Sequence, residues 1–123
     1  MIDLDETITI EKLKKLVLSF RDERNWKKYH NPQDLAISLS VEAAELLELF
    51  QWKNNEEIKD FLKNSESYQK VCDELADIII YSLDLADIID ADVSEIVQKK
   101  LETNAKKYPV EKAKGSAKKY SEL

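Results

Sequence analysis

One glycine and two prolines in 123 residues leave this chain few places to turn. Leu, Ala, Glu and Lys are frequent, and all four favour helix. With 43% hydrophobic and 36% charged residues, the composition is neither that of a disordered chain nor that of a membrane protein. The length suits a single domain, residues 1–123, with a real core. A formal charge of −6 argues against general binding to a nucleic-acid polymer, which needs a net basic surface.

The opening "MIDLDETITI" is acidic where a signal peptide would be basic. The most apolar stretch, "LADIIIYSLDLADII", carries Asp77, Asp84 and Asp87 and is too short and too charged to span a bilayer. The single Cys72 excludes an internal disulfide. These features predict a cytoplasmic protein with no membrane association.

Periodicity divides the chain into four principal helices. Thr9 is placed to cap the first, which carries Leu13, Leu16, Val17 and Phe20 on one face and is expected to run to about Trp26. "KKYHNPQD" breaks it, and Pro32 suits the start of the second helix, expected from Gln33 to Trp52. That helix is apolar nearly all round, as a central helix should be. Asn55 is expected to cap a short extra helix through Leu62. Ser65 or Ser67 opens the third, running to about Asp90, and Asp92 or Ser94 caps the fourth, ending near Lys107. Pro109 stops it, and "VEKAKGSAKKYSEL" reads as an extended tail over 108–123. The expected fold is an all-α four-helix bundle.

Acids interrupt the two most apolar helices. Glu42 and Glu45 are three apart in "SVEAAELLELFQW", and Glu74 and Asp77 are three apart in "DELAD". Each pair therefore shares one helix face. If the two helices pack antiparallel, four carboxylates converge. Burying one ionised carboxylate costs several kcal/mol, and each like-charge pair adds roughly 4 kcal/mol at about 4 Å and an effective dielectric of about 20. Protonation or a divalent cation would relieve this. Oxygen donors without His or Cys favour a hard ion, Mg²⁺ or Mn²⁺ as substitute, and Mg²⁺ completes its shell with substrate phosphates. The plainer alternative is a set of solvated helix faces. Glu48, Asp73 and Asp84 are read as solvated, and Asp87 and Asp90 as helix-end residues.

The carboxylate pairs, ExxE and then ExxD after 28 intervening residues, resemble the MazG-type all-α nucleotide pyrophosphohydrolases. "FRDERNWKKYHNPQDLAISLSVEAAELLELFQWK", "DELADIIIYSLDLAD" and "KLETNAKKYPVEKAKGSAKKYSEL" are similar to the dCTP pyrophosphatase branch, and the likeness runs from about Leu16 to Leu123. The resemblance implies Mg²⁺-dependent hydrolysis of a (deoxy)nucleoside triphosphate to the monophosphate and pyrophosphate, as nucleotide-pool housecleaning. Carried over, Glu42, Glu45, Glu74 and Asp77 are metal ligands and catalytic residues, with Glu45 among the carboxylates that could take the proton of the attacking water. Trp26 and Trp52 would stack on the base, and Tyr81 would lie near the sugar. His30 could donate to phosphate or base, although a lone loop histidine is more often simply exposed. Where the family has a first-helix residue near the base, this chain has Val17, so base choice is expected to differ. Lys100, Asn104 and Lys107 recur at helical spacing, with Tyr108 at their end, and would face the phosphates. The tail would fold over a neighbouring subunit.

Other classes fit less well. A di-iron bundle wants Glu-x-x-His pairs, which one loop histidine cannot supply. No glycine-rich phosphate loop is present, and Ser or Cys hydrolase chemistry lacks a histidine base in context. A helical interaction module with incidental acids is the main non-enzymatic alternative, and a pyrophosphohydrolase acting on dUTP or a modified nucleotide is the enzymatic one. Apolar stripes on the first and fourth helices predict a homo-oligomer, a dimer or a dimer-of-dimers tetramer.

Overall fold

A computed structural model describes residues 4–123, so the first three residues of the acidic opening lie outside the described residues. Among the described residues there are helices and turns and no strand, which agrees with the all-α expectation. The chain forms two compact units, Met1–Asp90 and Ala91–Leu123.

A short helix α1 (Leu4–Thr7) precedes α2 (Ile10–Glu23). Thr9 caps α2 as its position suggests, its hydroxyl accepting from the Lys12 amide at 3.1 Å. The helix stops three residues short of Trp26. Asn25 turns into the left-handed region (φ 55°), a conformation asparagine tolerates, and the Trp26 amide closes the corner on the Arg21 carbonyl. A 3₁₀ turn over Lys27–Tyr29 leads to α3 (Pro32–Phe50), where the Asn31 side chain accepts from the Asp34 amide at 2.8 Å and Pro32 opens the helix.

The short helix α4 (Asn55–Lys63) is capped by Asn54, one residue before the expected Asn55. Asn54 and Glu57 form a reciprocal capping box, which settles the register. Ser65, one of the two expected starts, is the first residue of α5 (Ser65–Ile88), and Asn64 caps it. This one residue serves two helices: its amide donates to the Phe61 carbonyl of α4 and its side chain accepts from the Ser67 amide of α5.

In the first unit α3 packs along α5, with α2 and α4 also against α5. Ser38 faces Tyr81 and Glu42 lies beside Glu74, so lower numbers on α3 meet higher numbers on α5 and the pair is antiparallel. Among the described residues, Leu35, Leu83 and Ala86 are the buried apolar side chains. The expectation that α3 is buried nearly all round does not hold within one chain: Ile37, Val41 and Leu47 remain 53%, 49% and 59% exposed. Only one of its flanks meets α5. Leu16 and Phe20 of α2 are likewise about half exposed, at 56% and 50%.

In the second unit Asp92 caps α6 (Val93–Lys107), accepting from the Glu95 amide at 2.9 Å. The tail is not simply extended. It contains a short α7 (Val110–Ala113) and a 3₁₀ turn at Tyr120–Glu122. It also folds back, so that the Tyr120 ring meets Tyr108 edge-on at 6.2 Å and lies 5.0 Å from the Lys107 ammonium. The lone glycine, Gly115, takes a left-handed conformation (φ 76°) on the way.

Leu35 is 1% exposed, so Leu35→Ala should remove about 2–5 kcal/mol of stability, read as a lower urea midpoint with an unchanged slope.

Candidate active site

The antiparallel pairing of α3 and α5 decides where the acids meet. Glu42 and Glu45, one turn apart on α3, face Glu74 of α5, and one oxygen from each lies within 4.8 Å of the others. Glu45 is exposed, whereas Glu42 and Glu74 are half-buried. Glu74 Oε2 is buried without a hydrogen-bond partner among the described residues. The proximity of Glu74, with a proton shared between the two carboxyls, raises the Glu42 carboxyl to about 7; burial and the neighbouring Glu45 act in the same direction. An all-oxygen trio of like charge, one oxygen buried and unpaired, has the chemistry of a hard divalent cation site. Asp77 is half-buried one turn further along α5; it is not part of the trio and lines the adjoining cleft.

That cleft has a volume of about 430 Å³ and opens between α2 and α5. Leu13, Leu16, Val17 and Phe20 form one wall, Ile80 and Tyr81 the other. Trp26, 43% exposed, closes one end, with Phe20 edge-on at 5.9 Å and the His30 ring 6.4 Å away. Burial pushes the Tyr81 phenol up, and the charges of Glu42 and Asp77 push it further, so it stays a neutral donor.

A charged network forms the polar part of the cleft's lining. Arg21 and Asp84 are 3% and 2% exposed. Arg21 donates to Asp84 at 2.7 Å, to Asp87 at 3.1 Å and to Asp22 at 2.8 Å, while His30 Nδ1 bonds the second Asp84 oxygen. This corrects the sequence reading: Asp84 is not solvated, Asp87 is not merely a helix-end residue, and His30 is not a free loop side chain. The missed signal is spacing. Asp77, Tyr81 and Asp84 recur at four and three residues, placing all three on one face of α5.

Trp52 is 85% exposed and does not line the cleft. Lys100, Asn104, Lys107 and Tyr108 belong to the second unit, where the Asn104 carbonyl accepts from the Tyr108 amide at 2.8 Å.

Comparison with known proteins supplies the class. The sequence profile of the MazG-like family matches residues 37–123, from α3 through the tail. The dCTP pyrophosphatase 1 proteins of Bos taurus and Homo sapiens are 38% and 35% identical to this chain over 115 residues, which is 94% of the chain and 68% of each relative. A pyrophosphatase of known structure from Archaeoglobus fulgidus DSM 4304 superposes with a TM-score of 0.75 at 42% identity, over 81% of this chain and 92% of that one. The chain belongs to the MazG-like family. It is an enzyme, and its activity is that of a nucleotide pyrophosphohydrolase. Among the described residues, no helix is long and apolar enough to cross a membrane.

The raised Glu42 carboxyl has a consequence for stability. Unfolded, it titrates near its ordinary 4.5; folded, near 7. Between those values the folded state holds the extra proton, so stability falls as pH rises through this window. In chelator, the melting temperature of the wild type should therefore decline from pH 4.5 to 7 more steeply than that of Glu42→Gln. A divalent salt at pH 7.5 should raise the wild-type value and leave the variant's nearly unmoved.

Proposed function

We propose that this chain is a divalent-cation-dependent pyrophosphohydrolase that cleaves a deoxynucleoside triphosphate, dCTP or a close analogue, between its α and β phosphates. The observation that carries this reading is the unpaired, buried Glu74 Oε2 in a carboxylate trio that adjoins an aromatic-ended cleft. The relatives support the substrate class, since two of them are dCTP pyrophosphatases.

In this reading the cleft receives the nucleoside. Trp26 offers a flat apolar face for base stacking, and Tyr81 sits where its ring limits the sugar. The cleft's apolar walls exclude water around the base, while Asp77 stands between the nucleoside and the carboxylate trio. A cation held by Glu42, Glu45, Glu74 and Asp77, Mg²⁺ or Mn²⁺, supplies Lewis-acid polarisation and charge neutralisation when bound. Glu45, the exposed member, takes a proton from a water at a carboxylate oxygen as that water attacks the α-phosphorus. The bond from the α-phosphorus to the bridging oxygen breaks, and pyrophosphate leaves with that oxygen. On the resemblance alone, Trp52 adds a second stacking surface; the helical spacing of Lys100, Asn104 and Lys107 in a basic stretch, with Tyr108 at its end, suits polyphosphate binding.

The exposed Ile37, Val41 and Leu47 on α3 support a homo-oligomer, a dimer or dimer of dimers, because such a face is stable in water only when covered. Nucleotide-pool housecleaning in the cytoplasm is the physiological role that fits this chemistry.

The test incubates purified protein with a panel of canonical and modified (d)NTPs and Mg²⁺, scoring pyrophosphate against orthophosphate. Pyrophosphate with the monophosphate is expected, fastest from dCTP. Glu42→Gln and Glu74→Gln should each lower kcat on the order of a hundredfold, corresponding to about 2.7 kcal/mol of lost transition-state stabilisation. Orthophosphate as the first product would reject α–β cleavage, and silence toward every triphosphate would favour an interaction module.

A further inference from the structure

The second unit reverses the charge of the first. Residues 1–90 hold eleven Lys and Arg against twenty Asp and Glu, whereas residues 91–123 hold eight Lys against five acids. Among the described residues only one of those eight lysines, Lys99, forms an ion pair, with Glu95 at 2.7 Å. The macrodipole of α6 accounts for Lys106 and Lys107, which occupy its last turn, where positive charge is favoured. It does not account for Lys118 and Lys119, which follow the short α7 in the tail.

A tail so rich in lysine is expected to stay solvated and extended. This one turns back. Gly115 takes φ 76°, a conformation that side chains disfavour, and the Ser116 amide closes the turn on the Ala113 carbonyl at 2.9 Å. The Lys118 amide then donates to the Ser116 hydroxyl at 3.2 Å. The chain arrives with the Tyr120 ring edge-on to Tyr108, 6.2 Å between centroids, and with the Lys107 ammonium 5.0 Å from that ring. The contact builds no core, since Tyr120 is 53% and Tyr108 38% exposed. Its effect is on charge. It brings the Lys118–Lys119 pair to the end of α6 that carries Lys106 and Lys107, and among the described residues none of the four is in an ion pair. The ring also restrains Lys107, whose long side chain otherwise spreads over many rotamers.

We propose that the folded-back tail builds a binding surface for a short polyphosphate, with Lys106, Lys107, Lys118 and Lys119 as its cationic groups and Tyr120 as the residue that positions them. The surface goes beyond the pyrophosphohydrolase reading, because it holds the anion whether or not a bond is cleaved. Ammonium groups are compact charges with three donors each, and several around one anion match a charge packed into two or three phosphoryl groups. Lysines gathered before the anion arrives lower the cost of ordering them on binding. The same chemistry serves two sources, the triphosphate of an incoming nucleotide and free pyrophosphate. A long nucleic-acid polymer is the poorer match, because the chain as a whole carries −6.

The test is calorimetric titration with tripolyphosphate and with pyrophosphate, at low salt and in chelator, where the carboxylate trio without its cation repels an anion. Melting curves confirm folding of each variant. The wild type should bind saturably. Lys118→Gln with Lys119→Gln should weaken binding by about tenfold, and Tyr120→Ala by about fivefold. Tyr120→Phe, which keeps the ring, should stay within about twofold of the wild type. Lys59→Gln with Lys63→Gln removes the same charge from α4 and should change the affinity by less than about twofold. Turnover in Mg²⁺ then separates the sources. A raised KM for the triphosphate in the tail variants, with monophosphate binding unchanged, assigns the surface to the incoming nucleotide. An unchanged KM with weaker inhibition by pyrophosphate assigns it to the released product. No saturable binding in the wild type, full affinity in both tail variants, or an equal loss in the α4 variant overturns the inference and leaves the pyrophosphohydrolase reading standing. If no triphosphate is cleaved, that reading fails, and the titrations in chelator still decide the tail.

Discussion

The antiparallel contact between α3 and α5 is the constraint on which the rest depends. It takes two helices that each carry acids three residues apart and sets their charged faces opposite each other. Apolar packing from Leu35, Leu83 and Ala86 supplies the attraction, and the carboxylates supply a local repulsion it must overcome. Proton sharing between Glu42 and Glu74 relieves part of that repulsion without a ligand. The contact thus stores an electrostatic deficit that a cation can fill, which is how a packing interface between two rods becomes a site.

The parts legible in the sequence were those set by local chemistry. Thr9, Pro32 and Asp92 mark helix starts because a cap needs only a residue and the amides just after it. Glu42, Glu45 and Glu74 could be grouped because helical spacing puts acids on one face and two apolar helices must pack. Boundaries were least legible where several asparagines and serines compete: Asn54, Asn55, Asn64, Ser65 and Ser67 can all cap, and tertiary contacts choose among them. Trp26 was read into the first helix because nothing in its own side chain announces the left-handed turn at Asn25.

Asp84 was misread for a different reason. Its partner Arg21 is 63 residues away, and no periodicity in either helix reports that pairing. A solvated acid and an acid that neutralises a distant arginine look alike in one helix. The pattern that does separate them, Asp77, Tyr81 and Asp84 on a single face, becomes meaningful only once α2 is known to cover that face. The same cover brings Trp26 and His30 to the cleft from the turn that follows α2.

Asn64 leaves no slack between α4 and α5. A connection of one residue cannot take up an added or lost position by looping out. An insertion there would rotate everything before it by about 100° per residue relative to α5. Phe61, which packs edge-on against Phe50 at 6.1 Å and lies 4.4 Å from the Lys53 ammonium, would swing away from both. Length variation in this lineage should therefore collect elsewhere, while this joint admits exchange of residue type without change of residue count.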